Sequence, residues 1–386
     1  MWLRQQWNLR GIRIILRTNS RTHPGDNGRV LDRLFVLHGE KLRSLVRLPS
    51  WLLVLIVTSG LCAQDSDSSR ALNVLLFGDV NLGRSVGQEL VKGNVDFPFG
   101  RVRDSLSAES IVFVNLESQL TDQGGETQHP KYNLIFCGPP AGAEALRRAN
   151  ISVVSTANNH AYDYRMKGLR ETIQSLRSRG LLFTGTSEDS VSTFPPAIVE
   201  RNGIRVGFVA YTQFVNIPGP WSGRISLFDE ARVRSEMESV RPAVDLLIAS
   251  FHGGEEYMDR PNGKTQYQLR FLADAGADIV VGHHPHVVQG IEYYNGTYIF
   301  RSLGNFVFYQ PQLEWTQKGL GVELQLRKDS QQAEIARIRL IPLQAALQPY
   351  LLHDHTEKQT VIDRVVKLSN VEIIEETGNY FVNSIK

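Results

Sequence analysis

The chain has 386 residues, 42% hydrophobic and 21% charged, with a formal net charge of +2. These values exclude a fibrous or disordered protein and allow one large domain or two small ones. The charge is uneven: residues 1–48 hold 10 Lys/Arg against 3 Asp/Glu, whereas residues 65–386 hold 32 against 37. A mildly acidic body argues against a nucleic-acid partner, because phosphate backbones need a basic face.

In chain order, the basic arm leads into an uncharged stretch at 49–64, with the apolar run Trp51-Leu52-Leu53-Val54-Leu55-Ile56-Val57 behind Arg43 and Arg47. Basic flank, short apolar segment and small residues follow the order of a signal peptide. The run falls short of the roughly 20 residues of a comfortable span, although Leu45 to Ala63 would just cross as a signal-anchor if Arg47 snorkels. Residues 1–64 are therefore read as an export or anchoring segment, which places the body at the cell envelope. Cys62 follows Leu61 rather than the small residue a lipidation signal prefers. If Cys62 leaves with the segment, Cys137 has no internal partner and belongs in the core.

From Ala71 short β-branched runs alternate with helical stretches, an α/β pattern. Strands are expected at Asn73–Phe77, Ile111–Val114, Ile151–Ser155, Arg205–Ala210, Asp245–Ser250, Asp278–Val281 and Tyr298–Arg301. Helices are expected at Ala141–Ala149, Lys167–Arg179, Asp229–Val240 and Lys264–Ala275, with Gly180 and Gly276 as stop signals. Alternation at Val322, Leu324 and Leu326 predicts a hairpin across Gly319–Leu343 that turns at Lys328-Asp329-Ser330. The principal domain is placed at 71–343, and 344–386 reads as a less regular tail without an assigned role.

The chemistry-bearing residues each follow an apolar strand: Asp79; Asn115 and Glu117; Asn158, Asn159 and His160; His252; and His283, His284 and His286. In open α/β sheets ligands bind beyond the carboxyl ends of strands, so these groups converge on one rim. Carboxylates and imidazoles brought together there are best satisfied by a cation. Oxygen and nitrogen donors without thiolate suit Zn, Mn or Fe. Taken singly, Asp79 reads as a turn cap, Asn158-Asn159 as a turn signal and His252 as a satisfied surface or core histidine. Three imidazoles in His283-His284-Pro285-His286 are a stronger signal.

The order of motifs resembles the CapA-type poly-γ-glutamate capsule-biosynthesis family, distant relatives of the calcineurin-like metallophosphoesterases. It is carried by Gly78-Asp79 with Leu82-Gly83-Arg84, Asn115-Leu116-Glu117, and Ala157-Asn158-Asn159-His160-Ala161 with Asp163. His252 with Gly254, Glu256 and Tyr257 follows, then Gly282-His283-His284-Pro285-His286-Val287 and Ser302-Leu303-Gly304-Asn305-Phe306. The resemblance implies a calcineurin-like metallophosphatase sandwich of two β-sheets flanked by helices, with the site on the sheet edges. It implies metal ligation by Asp79, Glu117, Asn159, His252, His284 and His286, and a catalytic His160. Arg84 and Asn305 would orient an anionic substrate, and His283 would steer a neighbour through its ring N–H. Three departures stand out: Asn81 where the metallophosphoesterases carry a second ligand His, Glu117 in place of a bridging Asp, and Gly253 where the capsule family carries Trp.

The expected function is a metal-dependent hydrolase or transferase at the envelope, using Mn, Fe or Zn on a phosphoester or γ-glutamyl amide. Its partners would be an acidic polymer or phosphorylated envelope substrate and membrane-bound capsule-synthesis components. The rival is a non-catalytic factor that binds and exports an acidic polymer. A third reading, in which His and Asn merely cap strand ends, needs five strands to carry such residues for unrelated reasons.

Overall fold

A computed structural model describes residues 5–9, 12–16, 70–135, 137–329 and 332–383. The chain divides into two units, Met1–Ser66 and Asp67–Lys386. In the first, the described residues form an antiparallel pair, β1 (Gln5–Leu9) and β2 (Ile12–Leu16). The expected signal-like run at 49–64 lies outside the described residues. Among those described, no helix is long and apolar enough to cross a membrane.

The second unit begins with β3 (Arg70–Val80), α1 (Arg84–Val91), β4 (Ile111–Leu116), the short pair β5 (Gln119–Leu120) and β6 (Cys137–Gly138), and α2 (Ala141–Arg148). Next come β7 (Val153–Ser155), α3 (Arg165–Ser178), β8 (Leu182–Thr184), β9 (Ala197–Arg201), β10 (Ile204–Thr212), α4 (Glu230–Val240) and β11 (Leu246–His252). They are followed by α5 (Gly263–Asp274), β12 (Ile279–His283), β13 (Ile291–Tyr294), β14 (Thr297–Phe300) and β15 (Asn305–Val307). The chain closes with β16 (Lys318–Lys328), β17 (Ala333–Gln344), β18 (Tyr350–Leu351), α6 (His355–Leu368), β19 (Ile373–Glu376) and β20 (Asn379–Val382).

Two sheets result. One runs β19-β20-β17-β16-β3-β4-β7-β8, with β15 added on β3 and β18 on β17; the other runs β13-β14-β12-β11-β10-β9. Alternating side chains dictate how they stack. Leu72, Val74 and Leu76 of β3 meet Val206, Phe208, Ile248, Ile279 and Val281 of the second sheet in one core. Phe113 and Phe208 stack across it with ring centroids 5.2 Å apart. The opposite faces are covered separately. Leu75, Val112 and Val114 pack with Val86, Leu90, Leu146 and Leu176 of α1, α2 and α3. Leu247, Ala249 and Val280 pack with Val233, Met237, Leu269 and Leu272 of α4 and α5. The expected sandwich of two sheets flanked by helices is therefore present.

Element bounds differ from expectation by a few residues, and one region differs in kind. The tail after residue 344 is ordered into α6 and the β19–β20 hairpin. Val361, Ile362, Val365 and Leu368 form a buried helical stripe, and Asp354 caps the helix by accepting from Glu357 N at 3.0 Å. Ile362, Val365 and Val371 enter the core between the sheets, and β20 pairs with β17. Helix α1, which the sequence reading left out, is short and starts at the end of β3's connection. Cys137 is buried, as expected.

Parallel pairing aims the strand ends in one direction. β3, β4, β7 and β8 are successively parallel, as are β10, β11, β12 and β14. Two glycine backbones close the seam: a Cβ on Gly78 would lie 1.8 Å from Gly304 O, and Asp79 N donates to that same oxygen at 3.0 Å. The close approach sets Gly78-Asp79 directly against Ser302-Leu303-Gly304-Asn305.

Candidate metal centre

Asp79, Asn115, Glu117, Asn159, His252, His283, His284 and His286 all lie at or just beyond the carboxyl ends of β3, β4, β7, β11 and β12, and all are buried. The structure thus brings the expected ligands together from both sheets. Asp79 is surrounded by donors. Its Oδ1 accepts from Asn115 Nδ2 at 2.9 Å and lies 3.2 Å from His283 Nδ1. Its Oδ2 accepts from His284 N at 3.3 Å and lies 3.3 Å from His286 Nδ1. Burial opposes the charge, but His283 and His286 hold the carboxyl well below its ordinary value.

Glu117 is the opposite case. It is fully buried, and neither carboxylate oxygen has a hydrogen-bond partner. Its Oε1 is 3.7 Å from both His252 Nε2 and His286 Nε2. Burial, and then the negative charge of Asp79 and of Glu256, push its carboxyl well above the usual range. His252 is held at both nitrogens: Asn115 Nδ2 lies 3.2 Å from Nδ1, and Asn159 Oδ1 lies 2.8 Å from Nε2. Burial, and then neighbouring His284, lower its pKa well below that of free imidazole. Burial followed by His286 brings His284 down to about 3. Neutral imidazole is the form that ligates a metal.

Ligand atoms of Asp79, Glu117 and His252 lie within 4.8 Å of one another, and so do those of Glu117, His284 and His286. Glu117 belongs to both groups. An orphaned carboxylate shared by two donor sets fits one or two divalent cations, and nothing else among the described residues satisfies its oxygens.

The remaining expected residues fall around this cluster. His160 is buried, with Nδ1 2.8 Å from Asp163 Oδ2. The i,i+3 pair Asn-His-x-x-Asp was visible in the sequence, although Asp163 was given no role there. Arg84 donates to Asn133 O at 3.0 Å, and its guanidinium carbon lies 5.8 Å from the Phe308 ring centroid. Phe308 in turn lies 4.9 Å from the His286 ring. Asn305 is placed differently from a substrate contact. Its Oδ1 is 2.9 Å from His286 Nδ1, and its Nδ2 donates to Gln310 Oε1 at 3.0 Å and Thr316 O at 2.9 Å. Its whole amide is engaged inside the protein, where it orients His286. Asn158, read as a turn residue, donates to Leu116 O and Asn115 Oδ1 and so supports Asn115.

Four of the nine non-glycine residues with positive φ among the described residues stand at or beside the site. Arg84, Tyr257, His284 and His286 have φ values of 50°, 65°, 96° and 58°. Such conformations cost about 1–3 kcal/mol each in non-glycine residues and persist where function or packing holds them. Phe214, 5.1 Å from the His284 ring centroid, also walls the site and carried no sequence signal, because its place depends on the 213–228 loop.

Residues 73–310 match the family described as bacterial capsule synthesis protein PGA_cap. The PGA biosynthesis protein CapA of Bacillus subtilis (strain 168) is 28% identical over 320 residues, covering 81% of this chain and 82% of that protein. The capsule biosynthesis protein CapA of Bacillus anthracis is 30% identical over 248 residues, covering 62% and 60% respectively. Among solved structures, the calcineurin-like phosphoesterase YfkN from Bacillus subtilis aligns over 78% of this chain and 97% of its own, at 14% identity and a TM-score of 0.39. A putative 5'-nucleotidase from Staphylococcus aureus aligns over 77% and 58%, at 11% identity and a TM-score of 0.42.

Proposed function

The chain belongs to the bacterial capsule synthesis protein family PGA_cap, and from that premise we propose that it is a metal-dependent hydrolase or transferase of capsule or poly-γ-glutamate biosynthesis. It acts at the cell envelope on a phosphoester or a γ-glutamyl amide. The observation that carries this reading is Glu117: a fully buried carboxylate without hydrogen bonds, shared by two sets of ligand atoms. Asp79, Glu117, Asn159, His252, His284 and His286 would hold the ions. Bound Mn, Fe or Zn would supply Lewis acidity and lower the pKa of water.

The chain's own residues supply the rest. Asp163 fixes His160 through Nδ1, so proton exchange with the substrate's leaving group falls to Nε2. Arg84 sits beside Phe308 at the His286 side, where a cation would steady an anionic substrate group. Residues 1–64 would carry the body out of the cytoplasm, bringing it to an acidic polymer or phosphorylated envelope substrate and to membrane-bound synthesis components.

A second reading, a metal-holding factor that binds and exports acidic polymer without cleaving it, is favoured by Asn81. Its Oδ1 accepts from Gly83 N at 2.8 Å, so the first motif adds no imidazole to the centre. The experiment that separates the two loads the purified chain with Mn²⁺, Fe²⁺ or Zn²⁺ and assays aryl phosphate mono- and diesters and γ-glutamyl peptides. Turnover that disappears in His160→Ala supports the enzyme. A metal-loaded chain with no turnover that binds poly-γ-glutamate supports the second reading.

A further inference from the structure

The centre contains an imidazole that the ligand set does not use. His283 ends β12 and is 1% exposed. Strand alternation turns Ile279 and Val281 toward the core between the sheets, and His283 follows them. Its ring centroid lies 6.1 Å from that of Phe113, a residue of the same core. Nδ1 lies 3.2 Å from Asp79 Oδ1, but off the line of a formed hydrogen bond, and Nε2 has no hydrogen-bond partner. A buried imidazole with both nitrogens unsatisfied costs free energy unless one of them acts.

The opposite side of Asp79 explains what it can do. Asn81 stands two residues on; its Oδ1 accepts from Gly83 N at 2.8 Å and its buried Nδ2 has no hydrogen-bond partner, so neither atom supports Asp79. Asp79 is therefore steadied from β4 by Asn115 and from the 284–286 segment, with no second group from its own strand. His283 reaches it from β12, where His283 pairs in register with His252 of β11. We infer that His283 is a positioning residue: its Nδ1–H locks Asp79 in the orientation that ligates metal. The other nitrogen, Nε2, stays bare in the apolar layer beside Phe113. The inference rests on the metal-centre reading of the proposed function.

The test is Mn²⁺ affinity of the full chain, measured by competition with a chelating dye, in wild type, His283→Leu and His283→Asn. Leu fills the apolar space without a donor, whereas Asn places an amide N–H near the Nδ1 position. His283→Leu is expected to weaken binding about 10–100-fold, and His283→Asn to recover most of the loss. Equal affinity of wild type and His283→Leu overturns the inference while leaving the metal centre standing. Equal loss in both variants also overturns it, because a merely structural role would not distinguish an amide from a methyl group. A wild-type chain that binds no Mn²⁺ sinks the metal-centre reading itself. Nitrogen-15 NMR of wild type supplies a readout independent of variant folding: Nδ1–H is expected for His283, and an Nε2–H tautomer contradicts the assignment.

Discussion

Replacing Glu117 by Gln should separate the protein's stability from its metal binding. The side chain is fully buried, lacks hydrogen bonds and faces the Asp79 carboxylate. Burial raises this carboxyl's pKa above its unfolded value, so at neutral pH the group costs about 1–3 kcal/mol or more whether it stays charged or takes up a proton, and Gln keeps the shape without an ionisable group. Metal-free Glu117→Gln is therefore expected to be more stable than metal-free wild type by about 1–3 kcal/mol. Metal reverses the order. A site filled at about 100 times its dissociation constant adds about 2.7 kcal/mol to wild type. Glu117→Gln loses the ligand shared by both donor groups and gains little. Melting curves of both proteins, with chelator and with saturating Mn²⁺, should cross in this way. If Glu117→Gln is destabilised in chelator, or is stabilised by Mn²⁺ as much as wild type, the reasoning about Glu117 is refuted.

Other outcomes follow from the same geometry. His160→Gln should keep its bound metal by elemental analysis and lose about 10²–10⁴-fold in turnover on any substrate found; Asp163→Asn should lower turnover less. Asn305→Ala should weaken Mn²⁺ binding about 10–100-fold through His286, and a variant with unchanged affinity and only a raised KM would return Asn305 to substrate contact. Away from the site, burial raises the Asp245 carboxyl, but Lys328 Nζ at 2.8 Å and Arg205 N at 2.8 Å outweigh it and lower the pKa. This stabilisation is present above the unfolded carboxylate's pKa and is lost as pH falls through the native value. Asp245→Asn should thus cost about 1–2 kcal/mol at pH 7, with the difference in urea midpoint shrinking toward pH 3.

The convergence of the candidate site was legible because parallel strands place their final residues on one rim, and because β-branched runs mark where those strands end. Asp79, Glu117, His252 and the 284–286 histidines needed only that rule and the family's order of motifs. Asn305 was legible as part of the site, but the partners of its amide were not. Its motif suggested substrate contact, while the fold wraps Gln310 and Thr316 around its amide. The tail was illegible for a related reason. Val361, Ile362, Val365 and Leu368 form a helical stripe, but the core they enter is assembled from strands far earlier in the chain. Phe214 and Phe308 owe their positions against the histidines to loop conformation, which no local pattern encodes.

The measurement closest to the central claim is elemental analysis of the chain purified without chelators. One or two bound equivalents of Mn, Fe or Zn per chain, falling in Glu117→Gln, are predicted by a carboxylate shared between two donor groups. A folded chain that carries no metal and takes up none when Mn²⁺, Fe²⁺ or Zn²⁺ is added would contradict the account.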